Sequence, residues 1–80
     1  MHETPLSLLT PGESGTVVRI VTPTSALRRR LMEMGLIRGT TIELVRHAPM
    51  GDPIEVKVKG YRLSLRRGEA EAVLVQKIPS

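Results

Sequence analysis

Two histidines, an aspartate near the second, two methionines two residues apart and a run of three arginines are the side chains with chemistry to offer. Catalysis would need a nucleophile with a base, paired carboxylates, or a metal cage. His2 lies at the chain start, and His47 ends a predicted strand beside a loop that carries Asp52. A histidine so placed reads more simply as a strand-end residue than as a ligand or base. Asp52 sits where a turn uses a carboxylate to accept local backbone N–H groups. There is no cysteine, so neither a thiolate metal site nor a disulfide framework is available. No two imidazole or carboxylate ligands share a helix face at i, i+4, so no transition-metal site of that kind is expected. Met32 and Met34, at about 100° per residue, point about 200° apart on a helix and read as core or interface residues. Gly35 and Gly39 lack the following Lys-Ser/Thr of a phosphate loop and come after a helix instead of before one. The expectation is a non-enzyme with no cofactor and no metal of its own.

What remains is contact chemistry. Twelve Lys+Arg against eight Asp+Glu give a formal net charge of +4, which permits an acidic partner without requiring one. Arg28-Arg29-Arg30 and Arg66-Arg67 could form a nucleic-acid patch, but single-strand and RNA binders add aromatic stacking platforms. Tyr61 is the only aromatic residue, and its place in the strand pattern points inward, so no nucleic-acid partner is expected. A solvated basic helix face and a partner-docking face both remain open. Met50, at a loop tip, is an adaptable apolar anchor. The candidate partner contacts are therefore Arg28, Arg29, Met32 and Met50, with the arginines steering an acidic partner.

These residues hang on a short helix, a glycine stop, a strand and a proline-flanked loop. Leu27, Leu31 and Met34 fall at i, i+4 and i+7 and predict a helix over 25–34, with Thr24 or Ser25 as N-cap. Gly35 fits the left-handed position after the helix, and Leu36 would then touch Leu31 as in a Schellman ending. Strands are expected over 14–21, 41–47, 54–59, 61–66 and 72–77. In the third, Ile54, Val56 and Val58 face inward. The last is apolar on both faces and so is expected to be covered on both. Leu6, Leu8 and Leu9 are expected to tuck a lead-in against the core, and 68–71 to form a short corner. Five short strands with one small helix between the first two usually close into a small barrel, which removes exposed edges.

Eighty residues suit one small domain spanning 1–80. No apolar run approaches the ~20 residues of a membrane span, and the first ten residues lack a signal-peptide pattern. A cytoplasmic protein without direct membrane insertion is the expectation.

Arg30-Leu31-Met32-Glu33-Met34-Gly35-Leu36-Ile37-Arg38-Gly39, then Val45-Arg46-His47-Ala48-Pro49-Met50-Gly51-Asp52-Pro53-Ile54, then Leu63-Ser64-Leu65-Arg66 and Glu69-Ala70, resemble the FeoA family. The paired features L-x-x-x-G-L-x-x-G and A-P-x-G-D-P-I carry the resemblance, which covers roughly 13–77. It implies an SH3-like β-barrel, an accessory of bacterial ferrous iron uptake, and binding to the cytoplasmic part of the GTPase-bearing membrane transporter FeoB. A related domain ends the iron-dependent repressors, which makes a regulatory, nucleic-acid-linked module the alternative. Arg38 stands where such proteins often have proline, leaving that turn less preset and more positive.

Overall fold

The computed structural model describes residues 2–79. Among them the strands are Thr4–Pro5 (β1), Ser14–Ile20 (β2), Thr41–His47 (β3), Ile54–Val58 (β4), Tyr61–Leu65 (β5) and Val73–Ile78 (β6). The helices are Ser25–Glu33 (α1) and Arg67–Glu71 (α2), and a 3₁₀ turn covers Leu6–Leu8. All strands join one antiparallel sheet in the order β1-β6-β2-β3-β4-β5. The inward alternation of β4 holds, with Ile54, Val56 and Val58 fully buried. They meet Leu6, Leu31, Leu36, Leu44, Leu65 and Val75, also fully buried. Each such side chain contributes about 1.5–3 kcal/mol relative to exposure.

The fold is mainly β, small and barrel-like, but several expectations need correction. There are six strands instead of five, because Thr4 and Pro5 pair with Val75 and Leu74. A two-residue edge strand containing proline shows no alternation and so leaves no periodic signal. The sheet curls without closing, since β1 and β5 are its two ends. The corner at 68–71 is a helical turn, α2. Leu6 and Leu9 are buried as expected, whereas Leu8 is 61% exposed. On β6, Val73 and Val75 are buried, but Leu74 and Gln76 are only half-covered. Tyr61 is not an inward residue. It is 45% exposed, and its hydroxyl donates to the Met34 carbonyl at 2.8 Å.

Two bulges bend the sheet. Between β2 and β6 the register shifts from Val17 to Arg19, and between β3 and β4 from Leu44 to Arg46. The first explains the burial of β2: Gly15 and Val17 point in, then Ile20 instead of Arg19. Such an extra residue increases local twist and re-aims the side chains beyond it.

The β2–β6 pair is also unusually close. A Cβ on Gly15 would lie 2.7 Å from Cγ2 of Val75, below any real contact, so the strand must shift to accept it. Gly15→Ala is expected to destabilise the protein by roughly 1–3 kcal/mol, read as a lower thermal midpoint. A second prediction concerns acid. The Thr10 backbone N–H donates to Glu13 at 2.8 Å and Lys77 Nζ lies 2.9 Å from its other oxygen. These contacts, the Thr10 bond first, lower the Glu13 pKa from 4.5 to about 2. A carboxylate with a depressed folded-state pKa stabilises above its unfolded value and loses that contribution as pH falls. Stability should therefore drop between pH 4.5 and about 2, and Glu13→Gln should flatten that part of the pH–stability curve.

Candidate functional site

Helix α1 owes its orientation to its two ends. Thr24 occupies the N-cap without a capping side-chain bond, because its hydroxyl pairs with that of Thr22 at 3.1 Å. At the other end Gly35 takes φ +94°, a conformation costly for any residue with a Cβ. The Leu36 N–H then donates to the Leu31 carbonyl at 3.1 Å and the Gly35 N–H to that of Met32 at 3.0 Å. That is the bond pair of a Schellman ending. Leu31 and Leu36 are fully buried, and Leu27 and Met34 pack on the same core. The opposite face presents Arg28, Arg29 and Met32 to solvent. Past the glycine the chain can bury only one of two adjacent apolar residues: Leu36 goes in and Ile37 stays 42% exposed. The segment is held against β2 by Gly39 N–H donating to the Val17 carbonyl and Val17 N–H to that of Thr40, both 2.8 Å.

Between α1, this segment and β2 lies an open groove of two adjoining hollows. The first, ≈ 270 Å³, is lined by Val17, Val18, Arg19 and Ile20 of the bulged strand and by Arg28, Met32, Leu36, Ile37 and Arg38. The second, ≈ 460 Å³, is lined by Ser25, Arg28, Arg29, Met32, Glu33 and Ile37. Arg28, Met32 and Ile37 belong to both. The floor is thus apolar, with Met32 49% exposed, and the rim carries several guanidinium groups.

The three consecutive arginines have three different environments. Arg28 donates to the Ile20 carbonyl at 2.9 Å and more weakly to that of Thr22 at 3.5 Å, fastening α1 to the end of β2. Arg30 turns the other way and pairs with Glu69 at 2.9 Å. The other Glu69 oxygen accepts the Arg66 N–H at 2.9 Å, so this largely buried carboxylate joins α1 to the start of α2. Arg29 and Arg38 make no hydrogen bond or ion pair among the described residues. Arg66 and Arg67 do not extend the groove; Arg67 pairs loosely with Glu71 at 3.9 Å.

Of the sequence candidates, the structure brings Arg28, Arg29 and Met32 to one groove. Met50 is 92% exposed at the tip of the β3–β4 loop and lines neither hollow. Asp52, expected to bond within its own loop, instead accepts the Arg67 N–H at 3.2 Å. His47 is structural: its Nε2 lies 2.8 Å from the Leu9 carbonyl, an acceptor, so that nitrogen carries the proton and donates. Among the described residues no three His, Cys, Asp or Glu side chains gather into a possible metal site. Sequence reasoning missed Ile37, Arg38 and the β2 wall. The usable signal was the Leu36-Ile37 pair after a left-handed glycine, where only one side chain can turn inward.

Residues 4–77 match the family model described as the FeoA domain. A fusion of Fe(2+) transport protein A with the Fe(2+) transporter FeoB from Porphyromonas gingivalis is 39% identical over 75 residues, 94% of this chain. This chain spans only 9% of that protein's length. The solution structure of a FeoA-like protein from Clostridium acetobutylicum is similar at 40% identity and TM-score 0.90, covering 100% of this chain and 92% of that one. Stenotrophomonas maltophilia FeoA, solved with zinc and described as a prokaryotic SH3 domain protein, is similar at 32% identity and TM-score 0.78, covering 95% of this chain and 91% of that one.

Single alanine substitutions should separate the three arginines. Arg28→Ala and Arg30→Ala each remove bonds that join elements and should destabilise by about 1 kcal/mol. Arg29→Ala should stay within about 0.5 kcal/mol of the parent protein. Chemical denaturation of the three variants checks the order.

Proposed function

The chain belongs to the FeoA family of ferrous iron transport accessory domains, and we propose that it acts without bond chemistry by docking on the cytoplasmic part of the transporter FeoB. The observation that carries this reading is the Porphyromonas gingivalis fusion, in which a homologous segment is covalently joined to that transporter. A fusion holds two partners at high effective concentration, an arrangement suited to domains that associate when separate. The α1–β2 groove supports the reading physically. It leaves Met32 and Ile37 uncovered in one lining, and adaptable methionine suits a partner surface. Docking would favour whichever transporter conformation presents the complementary face, which is how a binding module without chemistry biases a two-state partner. Such a role is exercised in the cytoplasm. No described helix is long and apolar enough to cross a membrane.

Arg28, Arg29 and Met32 form the proposed contact, and Met50 marks a second surface away from it. Calorimetric titration of the cytoplasmic part of FeoB tests both. Binding in the micromolar range is expected, weakened at least about tenfold by Arg29→Glu with Met32→Asp. Loss on Met50→Asp alone would move the contact to the β3–β4 loop. Absence of binding at tens of micromolar, or binding untouched by all three substitutions, would overturn the proposal.

A further inference from the structure

We infer that the α1–β2 groove receives an acidic, leucine-bearing segment of a protein partner, with an apolar side chain on Met32 and Ile37 and carboxylates on Arg29 and Arg38. This rests on the docking reading and adds the chemistry of what docks.

Three observations select that occupant. The first is charge. Arg19, Arg30, Arg46, Arg62, Arg67 and Lys77 all face a carboxylate of this chain within 4 Å. Among the described residues Arg28, Arg29, Arg38, Lys57, Lys59 and Arg66 have no such pair, and of these Arg28, Arg29 and Arg38 stand together on the groove, whereas the other three lie outside its lining. Arg28 donates only to backbone carbonyls there and keeps further N–H groups, since a guanidinium carries five. Among the described residues Glu33 is the only acid in the lining. Cations without local partners beside an apolar floor favour a ligand that brings its own carboxylates, and two planar guanidinium groups suit that geometry.

The second observation is the floor. The side chains common to both hollows are aliphatic apart from Arg28. An aliphatic floor offers burial to a leucine-type side chain and no stacking surface.

The third follows from composition. Proline-rich peptides dock in aromatic-lined grooves, and single-stranded nucleic acid stacks on aromatic rings. Tyr61 is the one aromatic residue; it lies outside the groove lining, with its hydroxyl on the Met34 carbonyl. Both competing ligand classes lack their anchoring partner.

The test uses the full chain, isotope-labelled, and a short blocked peptide built only of leucine and glutamate. One control peptide has glutamine for its glutamates, another has serine for its leucines, and a mixed-sequence oligonucleotide serves as plain polyanion. The leucine–glutamate peptide should shift amide signals across 28–38. Both control peptides should bind about tenfold more weakly, and raised salt should weaken the parent peptide. Arg29→Glu with Arg38→Glu should remove about tenfold of its affinity, and Met32→Asp a comparable factor. All three side chains are exposed, so unchanged thermal midpoints should show that the variants remain folded. No shift within 28–38, equal binding of the glutamine control, or an oligonucleotide that binds more tightly and ignores Met32→Asp would overturn the inference. The cytoplasmic part of FeoB is titrated in parallel. If it binds and the double arginine variant makes no difference, the inference fails and the docking reading survives. If it does not bind while the peptide does, the docking reading fails and the groove chemistry survives.

Discussion

The left-handed turn at Gly35 fixes more of this molecule than any other single contact. It stops α1 at Glu33, with Met34 as the capping residue, and reverses the chain so that Leu36 returns under Leu31. Two fully buried leucines enter the core from one turn of backbone. The same geometry decides what stays outside. With Leu36 inside, Ile37 must face solvent beside Met32, and the next residues run along β2 through the Val17 bonds. The Met34 carbonyl, freed at the helix end, receives the Tyr61 hydroxyl from the edge strand β5. Core, groove and one sheet edge therefore share one cause. A Cβ at Gly35 would also sit 3.2 Å from that hydroxyl, so the position resists substitution on both conformational and steric grounds.

A domain this small has few apolar atoms with which to hold its ends, and polar contacts complete the job. Glu69 joins α1 to the start of α2, Asp52 ties the β3–β4 loop to the same helix, and His47 holds the Leu9 carbonyl. The terminal lead-in gains a further ion pair between Glu3 and Arg19 at 3.0 Å. Exposed pairs of this kind are individually weak. Their importance lies in assigning half of the twelve basic residues to internal carboxylates, which leaves the net charge expressed unevenly over the surface. The formal excess of +4 therefore says less about recognition than the location of Arg29 and Arg38 does.

Much of the architecture was legible because local and tertiary preferences agree. The Leu27-Leu31-Met34 stripe, the Gly35 stop and the alternation of β4 each obey one period, and burial follows that period. The illegible parts are those in which a neighbour overrides the pattern. β1 exists only because β6 offers it an edge. The bulge at Val18 breaks alternation, so Arg19 and Ile20 exchange the faces that simple counting assigns them. Tyr61 sits at an inward register position, yet its polar end has a carbonyl to reach and its ring stays half outside. Within the candidate site, Arg28, Arg29 and Met32 could be grouped from helical spacing alone. Ile37, Arg38 and the β2 wall could not, because their proximity depends on the bulge and on bonds between residues about twenty apart.

Architecture and ligand chemistry separate cleanly here. The described SH3 likeness of a relative concerns the path of the backbone, and a fold of that kind supports many unrelated binding tasks. What a groove can hold depends on the side chains that line it. In this chain the groove walls come from a helix and a bulged strand, its floor is methionine and isoleucine, and its rim is arginine. An aromatic cradle would recognise rigid, proline-rich backbone by shape. An aliphatic floor with unpaired guanidinium groups recognises an alternation of apolar and acidic side chains, tolerates small changes of register through methionine, and depends on ionic strength. A partner reading such a surface would be steered to it by charge, and its capture would slow as ionic strength rises.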